Sequence, residues 1–317
     1  MNLNQQHIEH VSHPHATNML THPVLDAGAT LTTYFLPVAN GTAGDATAID
    51  AGAISPAARP LVVITPGGGY DHLSTREAEP IARRMNREGF HACVLRYSVA
   101  PAVWPQPLLE LAATVAWCRA NAARHGIDAH RIVLCGFSAG AHLAGCLGTM
   151  WNEPWIVQRL NESENRLPSP DGARSVDEES DERTPAFIAD DIRPDAQILS
   201  YPVISSGRFA HRGSFTHLTG GNAALEPELS LENRVSLATP PTFLWHTATD
   251  RTVPMENSLL FAAALHRNGI PMEMHIFPKG DHGIALGTEE TAKPDHDYVE
   301  PQVQYWPELA ANWIRAL

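Results

Sequence analysis

Short apolar runs alternate with helix-like segments along most of this chain. Mostly apolar runs at 61–65, 91–97, 131–135, 197–201, 242–246 and 272–277 are typical of strands, and a further strand is expected at 31–36. Between them, the 3.6-residue period predicts helices at about 77–88, 108–124, 255–267 and 302–316, with another after residue 138. Because the central strands are almost wholly apolar, helices should cover both faces of the sheet. The pattern predicts an α/β fold with a mostly parallel central sheet.

The chain has 317 residues and is 44% hydrophobic, which is enough for one large core. Residues 26–317 are therefore predicted to form a single domain. Residues 1–25 carry five histidines and little apolar patterning, so we interpret them as a polar N-terminal arm. A histidine-rich tract can bind metal, but a surface arm or a contact with a second copy of the chain explains it without one. No metal site and no cofactor are predicted.

One stretch, at about 151–195, interrupts the alternation. It contains Trp151 and Trp155 and then a strongly acidic run at 177–182. This insertion follows the strand that carries Ser138 and its helix, and we expect it to emerge at the ligand-binding edge, where it could cover a site. A solvated acidic loop is the alternative.

Charge and cysteine usage exclude several classes of function. The formal net charge is −13, which argues against nucleic acid as a partner because phosphate binding needs a basic patch. The first residues lack the apolar core of a signal peptide, and no apolar run reaches 18 residues, so no membrane contact is predicted. The four cysteines form no C-x-x-C pair, which predicts buried free thiols and a cytoplasmic protein.

The sequence Gly-Phe-Ser-Ala-Gly at 136–140 lies where a strand gives way to a helix. A sharp turn of that kind pushes Ser138 outward, and glycines on both sides leave room for it. A glycine turn without any chemistry is the alternative. The surrounding strand and helix patterns favour Ser138 as a nucleophile.

A serine hydroxyl needs a base and a group that orients the base. Asp250 follows the strand at 242–246, and His282 follows the strand at 272–277, so acid and base come after the serine in the hydrolase order. Asp250 could instead cap a helix or pair with Arg251. Asp281 ranks second as the orienting acid, because neighbouring side chains on a loop rarely face each other. We predict catalytic roles for Ser138, Asp250 and His282.

Three glycines at 67–69 separate the strand at 61–65 from the next helix. Their backbone can approach the nucleophile closely and direct N–H groups toward an oxyanion, with Ala139 supplying another. The glycine patterns of nucleotide sites are absent there.

With these residues in place, the chain resembles the α/β-hydrolase superfamily. Within it, the chain is similar to hormone-sensitive-lipase-like and acetylxylan- and feruloyl-esterase-like bacterial enzymes. The similarity runs from about residue 60 to 317. It rests on five motifs: Pro-Gly-Gly-Gly-Tyr at 66–70, Leu-Arg-Tyr-Ser-Val-Ala-Pro at 95–101, the serine motif at 136–143, Asp-Arg-Thr-Val-Pro at 250–254 and Gly-Asp-His-Gly at 280–283. The resemblance implies that the amides of Gly68, Gly69 and Ala139 form the oxyanion hole. Pro66 departs from the histidine of lipase-like members and favours the carbohydrate-esterase branch.

The resulting prediction is a serine carboxylesterase that hydrolyses short acyl esters, acetyl groups on carbohydrate above all. Its substrate is expected to be a small-molecule or oligosaccharide ester. The alternatives are an amide or formamide hydrolase on the same triad, a feruloyl-type esterase, and an inactive hydrolase-fold binding protein. Tyr70, Trp104 and Trp151 are candidates for lining the substrate pocket.

Overall fold

The computed structural model describes residues 21–24, 28–37, 58–162, 186–293 and 298–317. Within these ranges eight strands form one sheet in the order β1-β2-β4-β3-β5-β6-β7-β8. The strands are β1 (Thr21–Val24), β2 (Ala29–Tyr34), β3 (Arg59–Thr65), β4 (His91–Arg96), β5 (Ile127–Phe137), β6 (Ala196–Ser200), β7 (Thr242–Thr247) and β8 (Met272–Phe277). The pairs β1–β2 and β2–β4 are antiparallel, and all other pairs are parallel. The predicted mostly parallel sheet is confirmed.

Nine α-helices accompany the sheet in the described part of the chain. They are α1 (Glu79–Arg87), α2 (Gln106–Ala120), α3 (Ala122–His125), α4 (Ala139–Met150), α5 (Pro154–Glu162), α6 (Ala189–Ile192), α7 (Arg212–Thr219), α8 (Glu256–Arg267) and α9 (Trp306–Ala316). Short 3₁₀ helices lie at Thr75–Glu77, Ala223–Leu229, Leu231–Asn233, Glu289–Thr291 and Val303–Tyr305. None of the helices in these ranges is long and apolar enough to cross a bilayer.

The core has two layers, one on each face of the sheet, as the period-2 geometry of strands requires. Leu61 and Val63 of β3 belong to the layer that includes α2, α4 and α8, whereas Val62 and Ile64 belong to the layer that includes α1 and α9. Strands β6 and β7 are buried along their whole length. Burial on both faces explains why the central strands are mostly apolar and do not alternate strictly between apolar and polar positions.

Several predicted boundaries differ from the structure. The predicted helix at 108–124 is two helices, α2 and α3, and the predicted strand at 131–135 extends to the whole of β5. Thr21–Val24 pairs with β2 as an edge strand, so the chain enters the sheet before the predicted end of the arm at residue 25. Residues 1–20 and the acidic run at 177–182 lie outside the described residues. The division into an arm and one domain stays a prediction.

The connection between β6 and β7, residues 201–241, carries structure that the pattern did not predict. It contains α7 and two 3₁₀ helices. Because β6 and β7 are parallel neighbours, their connection starts at the carboxyl end of β6, the edge of the sheet where Ser138 also lies.

Candidate active site

Ser138 is the single residue between β5 and α4. Its backbone lies at φ 53° and ψ −117°, a conformation that L-residues rarely adopt. The glycines on either side permit this turn. A Cβ on Gly136 would lie 2.4 Å from Cα of Ala141, and one on Gly140 would lie 2.1 Å from the carbonyl oxygen of Thr65. The two glycines thus let the turn pack directly against α4 and β3.

His282 lies between Ser138 and Asp250. Its Nε2 is 2.7 Å from Oγ of Ser138, and its Nδ1 is 2.7 Å from Oδ2 of Asp250. The other oxygen of Asp250 accepts hydrogen bonds from the backbone amides of Thr252 and Val253, both at 2.9 Å. Because an aspartate only accepts, Nδ1 of His282 carries the proton, which leaves Nε2 to accept from the serine hydroxyl. The structure brings together the three side chains that the sequence singled out.

Asp250 is held in its charged form. Burial by itself raises the pKa of this carboxyl, but hydrogen bonds from His246, His282 and the amide of Val253 outweigh it and lower the pKa well below its usual range. The carboxylate therefore stays ionised at neutral pH and faces the imidazole of His282.

Sequence reasoning missed His246, the buried second neighbour of Asp250. Its Nε2 lies 3.0 Å from the carbonyl oxygen of Val253 and 3.3 Å from Oδ2 of Asp250. A carbonyl can only accept, so Nε2 carries a proton, and Nδ1 accepts from the hydroxyl of Ser258 at 2.8 Å. The position at the end of an apolar strand, four residues before Asp250, is the only signal in the sequence.

The glycine loop, residues 66–70, lies against the serine turn. Gly68 has φ +133°, and a Cβ there would lie 2.0 Å from the carbonyl oxygen of His72, so only glycine fits. The carbonyl oxygen of Gly69 accepts a hydrogen bond from Nδ1 of His217 at 2.9 Å. Ala139 is the first residue of α4, where an amide has no acceptor within its own helix. The predicted donors thus lie on the two segments that meet at Ser138.

A cavity of about 530 Å³ opens beside Ser138 and His282. Its walls come from residues 68–77 apart from Tyr70, from Ser138, from His211 and His217, and from Thr252, His282 and Gly283. Among these described residues, Leu73 is the one large apolar side chain, and none is aromatic apart from the histidines. The cavity therefore offers hydrogen-bonding groups rather than an apolar tunnel.

The three residues predicted to line the pocket lie elsewhere. Tyr70 is buried, and its hydroxyl donates to Nδ1 of His142 at 2.9 Å. Trp104 lines a separate cavity of about 250 Å³ together with Trp155, at a ring-centroid distance of 6.1 Å. Nε1 of Trp151 donates to the carbonyl of Ala238. These expectations were wrong because large aromatic side chains gain more from packing than from lining a polar cavity.

His211, at the N-terminus of α7, and His217, within α7, line the cavity instead. The sequence analysis did not predict either residue. His211 caps α7: its Nδ1 accepts from the backbone amide of Ser214 at 3.3 Å, so Nε2 carries the proton when the ring is neutral. Burial, together with the nearby His282 and His217, lowers the pKa of His211, and Asp250 only partly opposes them. The available signal was the unusually long connection between two predicted strands.

The fold and site define an α/β-hydrolase. Residues 51–176 match the BD-FAE family, and residues 220–298 match the prolyl oligopeptidase family. The chain is 34% identical over 238 residues to endo-1,4-beta-xylanase B of Butyrivibrio fibrisolvens, covering 73% of this chain and 33% of that protein. It is 28% identical over 242 residues to an acetylxylan esterase of Xylanibacter ruminicola, covering 74% of this chain and 42% of that protein. The chain spans about a third to a half of the length of the curated relatives it matches.

A solved structure covers nearly the whole chain. The crystal structure of an acetyl ester-xyloside bifunctional hydrolase from Caldicellulosiruptor lactoaceticus has a TM-score of 0.68 and 34% sequence identity, and the match covers 91% of this chain and 88% of that one. The chain therefore belongs to the acetylxylan- and feruloyl-esterase-like α/β-hydrolases, a family of carboxylic ester hydrolases. The resemblance inferred from the five sequence motifs is confirmed.

Proposed function

We propose that this protein is a serine carboxylesterase that removes short acyl groups, acetyl above all, from hydroxyl-rich alcohols such as carbohydrates. The observation that carries the proposal is His282, whose ring nitrogens lie 2.7 Å from Ser138 and from Asp250 at the wall of an open cavity lined mostly by polar residues. A base within hydrogen-bond reach of a serine, itself oriented by a buried carboxylate, is the arrangement that activates a hydroxyl for attack.

The reaction begins when His282 takes the proton of Ser138 through Nε2 as Oγ attacks the ester carbonyl. The charge that develops on the carbonyl oxygen is stabilised by the amides of Gly68, Gly69 and Ala139. His282 then gives its proton to the departing alcohol, which leaves the acyl group on Ser138. A water molecule, deprotonated by His282, releases the acid and restores the serine. Asp250 stabilises the imidazolium in both halves through Nδ1.

The cavity supports a hydroxylated alcohol as the leaving group. Histidine, serine, threonine and acidic side chains line it, and they can bind sugar hydroxyls. A feruloyl group would call for aromatic walls and a lipid acyl group for an apolar tunnel, and the described lining offers neither. Two similar proteins, an acetylxylan esterase and an acetyl ester-xyloside bifunctional hydrolase, support the same substrate class.

The test compares hydrolysis of p-nitrophenyl acetate, butyrate and octanoate, acetate release from acetylated xylo-oligosaccharides, and hydrolysis of acetanilide and N-formyl substrates. We expect the acetate esters to be the best substrates and Ser138→Ala to be inactive on all of them. Wild-type protein should react with a fluorophosphonate probe, and Ser138→Ala should not. Equal turnover by Ser138→Ala would remove the serine from the mechanism. Preference for amide substrates would favour the amidase alternative.

A further inference from the structure

Glu77 is a carboxylate buried between the two loops of the site. It ends the 3₁₀ helix Thr75–Glu77 and is 2% exposed. Its Oε2 accepts the backbone amide of Gly67 at 2.8 Å, and its Oε1 accepts the hydroxyl of Tyr201 at 2.6 Å. Both donors are neutral. Each oxygen therefore serves a different part of the site.

On one side, Glu77 fixes the glycine loop. The backbone of Gly67 is so closely packed that a Cβ would lie 2.8 Å from Oε2 of Glu77 and 2.9 Å from Cβ of Ser138. The amides of Gly68 and Gly69 follow directly along the chain. Since the peptide before them is bonded to Glu77, that hydrogen bond helps to fix their distance from Ser138, together with the bond from Tyr97 to the carbonyl of Pro66.

On the other side, Glu77 reaches the histidine loop, residues 278–285, through Tyr201. The hydroxyl of Tyr201 also accepts the backbone amide of Ala285 at 3.1 Å, and its ring packs edge-on against His282 with centroids 5.2 Å apart. The neighbouring Arg76 donates to the carbonyl of Gly283 at 3.0 Å. Two residues that closely follow His282 are thus tied to the same short helix, Gly283 directly and Ala285 through Tyr201.

Tyr201 acts as a donor to Glu77 and not as a second anion. Burial raises the pKa of Tyr201 well above its usual range, and the adjacent Glu77 carboxylate raises it further. The phenol proton therefore remains on Tyr201 and points at Oε1.

We propose that Glu77 is a positioning residue that holds the oxyanion donors and the histidine base in one fixed geometry around Ser138. The inference rests on the proposed ester hydrolysis by Ser138. Glu77 itself has no role as acid, base or nucleophile. Its contribution is to the transition state, because a misplaced donor or base weakens stabilisation of the developing oxyanion more than it weakens substrate binding.

The arrangement requires two acceptors on one side chain. A glutamine at this position offers one acceptor, so it keeps the bond from Gly67 only by turning its NH₂ group toward the hydroxyl of Tyr201. That hydroxyl already accepts from the amide of Ala285 and would then have to accept a second time in place of donating. The connection to the histidine loop is thus weakened, although the shape and volume of the side chain are kept. Glu77→Gln is therefore a specific perturbation.

The experiment compares Glu77→Gln with Glu79→Gln, a control that removes an exposed carboxylate whose partner is Arg83 at 2.7 Å. For p-nitrophenyl acetate, we expect Glu77→Gln to lower kcat by about 10- to 100-fold, less than the roughly 10²- to 10³-fold loss of a whole oxyanion donor, while KM stays within about twofold. Phenylboronic acid, which forms a tetrahedral adduct on an activated serine, should bind more weakly by a similar factor. Glu79→Gln should leave all three values unchanged.

Tyr201→Phe provides a second test, because it removes the phenol hydroxyl that connects Glu77 to the histidine loop. We expect Tyr201→Phe to lower kcat while KM stays nearly unchanged. In the double variant, the fold-reduction in kcat should be smaller than the product of the two single reductions. Unchanged kcat and boronate affinity in folded Glu77→Gln, or in Tyr201→Phe if Glu77→Gln does not fold, would overturn the proposal. A change confined to KM would also overturn the proposal. Full activity of Ser138→Ala would instead overturn the proposed function. That outcome is distinguishable, because it is seen in the serine variant and not in the Glu77 or Tyr201 variants.

Discussion

Acid should weaken this protein through His142, a buried side chain on α4 four residues after Ser138. Its Nε2 lies 2.8 Å from the carbonyl oxygen of Leu229 and so carries a proton, and its Nδ1 accepts from Tyr70. Burial lowers the pKa of His142 from 6.5 to about 4, and the bond to Leu229 opposes this only in part. Between those values the unfolded chain binds a proton that the folded protein does not. Stability is therefore lost as the pH falls from about 6.5 toward 4.

The size of this effect follows from the difference in pKa. Each unit corresponds to about 1.4 kcal/mol, so lowering the pH from 7 to 4.5 should cost about 2 kcal/mol through this one group. The variant His142→Gln lacks the titration but shares all other ionisable groups, including the buried His91, whose pKa burial also lowers to about 4.

The assay is urea unfolding of wild type and His142→Gln at pH 7 and at pH 4.5. Wild type should be the more stable protein at pH 7, since the variant disturbs two buried hydrogen bonds. Its advantage should shrink by about 2 kcal/mol at pH 4.5. If the two free energies of unfolding fall in parallel, His142 is not neutral in the folded state and the reasoning is refuted.

Three further predictions concern the site. Gly140→Ala should reduce the free energy of unfolding by about 3 kcal/mol or more because its Cβ would overlap backbone atoms, whereas Gly213→Ala, whose nearest contact is 3.5 Å, should have little effect on the denaturation midpoint. Asp250→Asn should lower kcat roughly 10⁴-fold by disturbing the tautomer of the base, and the exposed Asp281→Asn should stay near wild type; comparable losses in both would contradict this assignment. His211→Ala should raise KM about 2- to 10-fold for acetylated xylo-oligosaccharides and leave p-nitrophenyl acetate unaffected, so an equal effect on both esters would exclude a contact with the sugar.

The sequence was sufficient to predict the fold class and the three side chains that meet in the site, Ser138, Asp250 and His282. The sequence pattern located seven of the eight described strands of the sheet, and parallel strands bring their carboxyl ends to one edge. Ser138, Asp250 and His282 each follow such a strand. Their convergence is therefore a consequence of topology, and the topology is readable from pattern alone.

The walls of the cavity could not be predicted in this way. His211 and His217 belong to a connection without clear periodicity, and nothing local shows that α7 folds back over the glycine loop. Trp104 and Trp151 were predicted to line the substrate pocket, yet Trp104 lies against Trp155 in a separate cavity and Trp151 donates to the carbonyl of Ala238. Contacts between segments far apart in the chain decide such placements.

Glu77 illustrates a second limit. In the sequence it is one acidic residue among 35 and reads as part of a helix start. Its partners, Gly67 and Tyr201, lie 10 and 124 residues away, and only their shared burial reveals that one carboxylate bridges them. Hydrogen bonds of this range follow from the assembled core, which no local pattern encodes.

Strand ends carry the Ser138, Asp250 and His282 side chains, whereas the β6–β7 connection supplies His211 and His217 to the cavity lining. This division makes the enzyme modular in evolutionary terms. Exchange of residues 207–222, which contain both histidines and spare Tyr201, for the equivalent segment of a relative is expected to alter which alcohol fits, while the sheet that carries the three side chains is untouched. Diversification of substrate range in such a scaffold can proceed by loop replacement without rebuilding the reactive centre.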